Sequence, residues 1–128
     1  MAALIGGAIA APAMAGKPGG GSNTGGYTVT VSPTGPYVFG EDVYVTTNDQ
    51  IYPNNSGPWI NLTCSQNGMV VLTGTHAGFP DGWYYNWPFT LGPTQSWASG
   101  SADCVVTVTH QAKNRVVTDA TTSFSVNG

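Results

Sequence analysis

Charge is what this sequence has least of. Charged residues make up 7% of its 128 positions, against roughly a quarter in an average soluble domain. The cations are Lys17, Lys113 and Arg115 alone. A nucleic-acid partner needs a basic stripe to neutralise phosphates, and an anionic membrane surface needs a polybasic cluster. Three scattered cations make neither. Glu41 is the only glutamate and the aspartates are dispersed, so no pair of acids is marked out to flank a glycosidic bond. No apolar run approaches the ~20 residues of a membrane-spanning helix. No stretch carries the 3.6-residue period of an amphipathic helix.

Recognisable chemistry is missing as well. No C-x-x-C or H-x-x-x-H pair offers zinc ligands. No D-x-D-x-D-G loop offers calcium six oxygens, so Asp42 and Asp49 read as turn or cap residues. There is no G-x-S-x-G elbow, and Ser99 and Ser101 near Asp103 belong to a polar loop. The glycine run 19–21 precedes no helix that could cradle a phosphate. His110 reads as a solvated strand end, and His76, in "GTHAG", as a loop residue. The sequons at Asn54 and Asn61 fit chance in an Asn/Thr-rich chain. The expectation is a non-enzymatic protein with no metal or cofactor.

What fills the gap is Thr, Ser, Asn, Gln and Gly, beside an ordinary 41% of hydrophobic residues. Disorder needs low hydrophobicity with high net charge, so this composition is that of a folded chain. Thr, Val, Tyr and Trp favour strands. Alternation then locates them. In "YTVTVSP", Tyr27, Val29 and Val31 share a face; in "DVYVTT", Val43 and Val45 do. "WINLTCSQ" groups Ile60, Leu62 and Cys64, and "ADCVVTVTH" groups Cys104, Val106 and Val108. Asn67-Gly68 is a hairpin signal leading into "MVVLTG". The basic residues around Asn114 mark a second tip, and "TTSFSVNG" closes the chain. "NDQIYPNNSGP" is too polar and punctuated for a strand.

About seven short strands separated by turns indicate an all-β, immunoglobulin-like β-sandwich of antiparallel strands, with a small barrel as the alternative. Cys64 falls on the third strand and Cys104 on the sixth, neighbours in one sheet of such a topology. Both share a face with apolar partners and are expected inward. An even cysteine count favours a disulfide, against two buried thiols.

The chain divides into three parts. Residues 1–15 are small and apolar and end in Ala13-Met14-Ala15, an A-x-A pattern before Gly16. They read as a signal-peptide-like segment, although no Lys or Arg precedes the apolar run. The competing reading is an arm that docks onto a neighbouring copy. Residues 16–26 are a Gly-rich linker, and 27–128 form the domain. Low charge also suits a multi-copy assembly.

"PDGWYYNWP", residues 80–88, is the densest aromatic stretch. In extended form, Trp87, Phe89 and Leu91 share one face and are expected in the core. Pro88 confines the segment to an edge or a strand start. Trp83, Tyr84 and Tyr85 are left as a rim group for ligand or partner contact, or for packing within their own loop. Trp59, opening a strand after "SGP", and Trp97, in a Ser-rich loop where it could cover the disulfide, are further candidates.

"YTVTVSPTGPYVFGEDVYVTT", "WINLTCSQNGMVV", "FTLGPTQSWASGSADCVVTV" and "TTSFSV" together resemble the small immunoglobulin-like proteins encoded by actinobacteria and their tailed phages. "VSPTGPYVFG" and the block from Phe89 to Cys104 carry most of the likeness, which spans about residues 27–127. In that family the third-strand cysteine is often followed by an aromatic residue; here Ser65 follows Cys64. The resemblance implies an exported or virion-surface accessory module, extracellular in location. It would recognise a protein surface (capsid, tail or cell envelope) or a surface glycan, and the resemblance transfers no catalytic motif.

Overall fold

The structure, a computed structural model, describes residues 26–79 and 86–128. Alternating sequences become strands: β1 (Val29–Ser32), β2 (Tyr37–Val38), β3 (Asp42–Thr47), β4 (Trp59–Gln66), β5 (Met69–Ala77), β6 (Phe89–Thr90), β7 (Ala102–Gln111) and β8 (Val116–Asn127). They form a three-stranded sheet, β1-β3-β6, and a five-stranded sheet, β2-β8-β7-β4-β5. Among the described residues, every strand pairing is antiparallel except β2 with β8. The chain is all-β, and its two sheets have a sandwich-like arrangement.

Period-2 alternation sets the core, because successive side chains leave a strand on opposite faces. The small sheet supplies Val29, Val31, Val43, Val45 and Phe89. The large sheet supplies Ile60, Leu62, Cys64, Cys104, Val106, Val108, Phe124 and Val126, all buried in one cluster. Cys64 stands opposite Cys104 in the β4–β7 register. They are disulfide-bonded, with Cα atoms 4.0 Å apart. The bridge therefore joins neighbouring strands of one sheet and points inward, as the alternation indicated.

The Asn67-Gly68 hairpin forms with both residues at positive φ, 51° and 82°, the left-handed pair that a two-residue type I′ turn requires. The β7–β8 tip closes where the Ala112 N–H donates to the Arg115 carbonyl at 2.8 Å. Two features go beyond the sequence expectation. Strand β2 is only two residues long, too short to alternate, yet it seats Tyr37 against Phe124 with ring centroids 4.7 Å apart. Strand β8 starts at Val116 rather than near Thr121, and pairs with β7 from Val116 to Val126.

Two β-bulges interrupt the large sheet. Cys64 pairs with Leu72 and Ser65 with Val70, leaving Val71 as the extra residue. Val108 pairs with Ala120 and Thr109 with Thr118, leaving Asp119 as the extra residue. A bulge re-aims the side chain it inserts. Asp119 and Ala120, adjacent in sequence, are consequently both buried.

Candidate functional site

The aromatic candidates separate. Trp97 is 0% exposed. Its Nε1–H donates to the Gly100 carbonyl at 2.9 Å, and its ring meets Phe39 edge-on at 5.3 Å. It is a core anchor of its loop, which corrects its reading as a contact residue. Trp87 is corrected in the opposite direction: it is 58% exposed, while Phe89 and Leu91 are buried. The strand parity that placed Trp87 inside does not apply, since β6 begins only at Phe89, after Pro88. Trp59 is partly exposed at the start of β4 and meets Phe79 edge-on at 6.2 Å. Trp83, Tyr84 and Tyr85 lie outside the described residues.

His76 is not in a loop. It sits on β5 opposite Ile60 and stacks on Phe89, with centroids 3.9 Å apart and planes at 9°. Burial pushes its pKa below the usual histidine value, against a hydrogen bond with the Trp87 backbone. Phe89 reaches across the sandwich because Gly74 leaves room: a Cβ there would stand 2.9 Å from the Phe89 ring.

The outward face of the large sheet is a lattice of hydroxyl and amide groups. The cross-strand rows are Thr75–Asn61–Thr107–Thr121 and Thr73–Thr63–Val105–Ser123, with Trp59–Thr109–Thr118 beside them. Asn61 organises the centre. Its Nδ2 donates to Thr109 Oγ1 at 3.0 Å, and its Oδ1 accepts from Thr75 Oγ1 at 3.0 Å. Asp103, bonded to Ser125 at 3.2 Å, brings a carboxylate to one corner. The Trp59–Phe79 pair borders the face at the opposite end of β4.

A second cluster lies where β7 and β8 meet the connection after β3. His110 follows Cys104, Val106 and Val108 on the inner face of β7, and the bulge turns Asp119 toward it. His110 Nδ1 and Asp119 Oδ2 are hydrogen-bonded at 2.7 Å. Tyr52 stacks on His110, with centroids 3.8 Å apart and planes at 7°, and its hydroxyl lies 3.1 Å from Asp49 Oδ1 and 3.2 Å from Asp119 Oδ2. Gly57, at φ +139°, passes so close that a Cβ would stand 2.9 Å from His110 Cβ. His110 is therefore packed and paired rather than solvated. Asp49 Oδ2 is buried and accepts no hydrogen bond. Burial, then the hydrogen-bonding Asp119 carboxyl, raise Asp49 to about 6. Burial likewise raises the Tyr52 phenol.

The alternation of β7 carried a readable signal for His110, since it continues the inward parity of Val106 and Val108. Asp119 had none, because a bulge leaves no mark in the alternation. The cluster contains acids and an imidazole, packed where β7 and β8 meet the β3–β4 connection. A shallow depression elsewhere, lined by Gln66, Gly100, Ser101 and Asp103 among others, holds Asp103 as its only titratable group. Among the described residues, no group of three or more His, Cys, Asp or Glu is placed to hold a metal, and no helix is long and apolar enough to cross a membrane. Compared with protein-family models, curated proteins and solved structures, the chain matches none.

Proposed function

We propose that this chain is a non-catalytic, immunoglobulin-like module that docks onto a surface in an extracellular or virion-surface setting. The strand order supports the fold reading. β1-β3-β6 corresponds to strands A, B and E, and β8-β7-β4-β5 to G, F, C and C′, a sheet that the variable-type fold extends in the same way. The bridge then links C to F, unlike the inter-sheet bridge of antibody domains. A disulfide fits an oxidising compartment.

The observation that carries the docking reading is the lattice on the outer face of the large sheet, uncharged except for Asp103 at one corner. With a single carboxylate at its corner it gains little from electrostatic steering, so attachment by this face would depend weakly on salt. The partners that suit it are a capsid, tail or envelope protein. The Trp59–Phe79 pair beside the hydroxyls favours a second reading, a carbohydrate-binding module, because aromatic faces stack on sugar rings while hydroxyls bond their edges.

Co-sedimentation of the disulfide-intact chain with actinobacterial envelopes and phage particles tests both. The expected result is binding that survives high salt and is lost on Thr63→Lys. Protease-treated targets that no longer bind identify a protein partner; periodate-treated targets that no longer bind identify a glycan. Absence of binding to every target, or turnover in a hydrolase screen, overturns the proposal.

A further inference from the structure

The Asp49, Tyr52, His110 and Asp119 cluster does nothing for docking on the outer face, and its arrangement is costly. Two carboxyl groups converge on one hydroxyl, that of Tyr52, which lies 3.1 Å from Asp49 Oδ1 and 3.2 Å from Asp119 Oδ2, and another oxygen, Asp49 Oδ2, is buried with no donor. Buried acceptors are normally satisfied, and two facing carboxylates repel. A single proton held between the acids removes both costs at once.

We propose that the Asp49–Asp119 carboxyl pair is a proton-held latch, fastening the segment from Asp49 to Tyr52 onto the inner ends of β7 and β8 and releasing it when the proton leaves. Residues from three elements face the latch. Asp49 follows β3, Tyr52 comes from the β3–β4 connection, His110 from β7 and Asp119 from the bulge of β8. Lys113 and Arg115, the cations at the nearby hairpin tip, make no ion pair with it among the described residues. His110 meets Asp119 and not Asp49, so a negative charge on Asp49 has no cation of its own among the described residues.

The segment has the anatomy of a part that moves. Tyr52 is held by stacking and by its hydroxyl, and its backbone N–H donates to the Gly57 carbonyl at 2.9 Å, so the release concerns its side chain and the residues before it. Beyond it, the chain is fixed independently of pH by the Gln111 N–H donating to the Ser56 carbonyl at 2.7 Å and the Gly78 N–H donating to the Pro58 carbonyl at 2.9 Å. Before it, the Asp49 N–H is held by Thr47 Oγ1 at 3.2 Å. Release is therefore confined to a few residues between two anchors. The elevated Asp49 carboxyl, at about 6, places the change in mildly acidic conditions.

Carboxyl-carbon and backbone NMR across mildly acidic to mildly alkaline pH tests the latch in the full chain. The expected result is one transition near pH 6, shared by the Asp49 carboxyl carbon and the amides of residues 49–52. Asp49→Asn supplies an N–H in place of the proton, so its amides should keep their acid-form positions throughout. Asp119→Asn should return the Asp49 carboxyl toward its ordinary range, and it serves where the first variant does not fold. If the amides of 49–52 titrate in Asp49→Asn as in the wild type, the imidazole is the switch and the proposal is overturned. It is overturned equally if Asp49 ionises in the ordinary carboxylate range, or if its ionisation leaves those amides unmoved.

Discussion

Cys64 and Cys104 face one another across β4 and β7, and their Cα separation of 4.0 Å resembles the closely spaced, non-hydrogen-bonded kind of antiparallel pair. The bridge adds a covalent rung to strands already zipped along their length. Its main effect falls on the unfolded chain, where it closes a loop of sequence separation 40. The chain-entropy model assigns such a loop about 4 kcal/mol. Cys64→Ala/Cys104→Ala should lower stability by that amount in urea titration, and the reduced wild type should match it. A loss below about 1 kcal/mol would mean that the unfolded chain keeps β4 and β7 together without the bridge.

Gly74 is the floor on which Phe89 lies. A Cβ at this position comes within 2.9 Å of the ring, and the ring cannot retreat freely because its other contact is the stacked His76. Gly74→Val should cost about 1–3 kcal/mol, the usual penalty for overpacking. Thermal unfolding measures the loss. The ring-current shift on His76 should shrink in the same variant, because the displaced ring no longer stacks.

Much of this fold was legible because alternation and burial are the same fact seen in one and three dimensions. Ile60, Leu62 and Cys64, or Cys104, Val106 and Val108, could be put inside from parity alone. Trp87 could not, because parity holds only within a strand and Pro88 keeps it out of β6. Trp97 looked accessible in a Ser-rich loop, yet its indole N–H finds Gly100 three residues on and the loop folds over the ring. The polar cluster was hidden for a different reason. Asp49, His110 and Asp119 are far apart in sequence, and the last reaches the site only through a bulge. The outer lattice was visible as an excess of threonine, but which threonines share a row depends on register.

Of the perturbed groups, Asp49 and His76 predict opposite pH limbs. Asp49 is raised from 3.8 to about 6, so the folded state holds a proton that the unfolded chain has released. Its contribution is complete below pH 3.8 and is lost as pH rises through about 6. His76 is lowered by burial, so the unfolded chain accepts a proton that the fold refuses, and stability falls as pH drops below about 6.5. Asp49→Asn should flatten the alkaline limb, by about 1 kcal/mol once solvent screening is allowed for. His76→Phe should flatten the acid limb. Urea midpoints across pH for the two variants separate the terms, and a shared limb would show that one group controls both.

Docking and stability should come apart on the outer face. Thr63 is exposed and lies between Thr73 and Val105 on the outward face. Thr63→Lys should therefore leave stability within about 0.5 kcal/mol, as surface changes usually do. It nevertheless plants a strongly hydrated charge in the middle of a neutral lattice, and desolvating that charge opposes any close contact. Asn61→Ala makes the complementary case. It removes the amide that links Thr75 to Thr109, with a cost of about 1 kcal/mol and no added charge. If the face is the contact surface, Thr63→Lys abolishes co-sedimentation at unchanged stability, whereas Asn61→Ala weakens it only in step with the disordered lattice. If Thr63→Lys binds like the wild type, the outer face is a solvated wall, and the contact must be sought at Trp87 and the edge of β5.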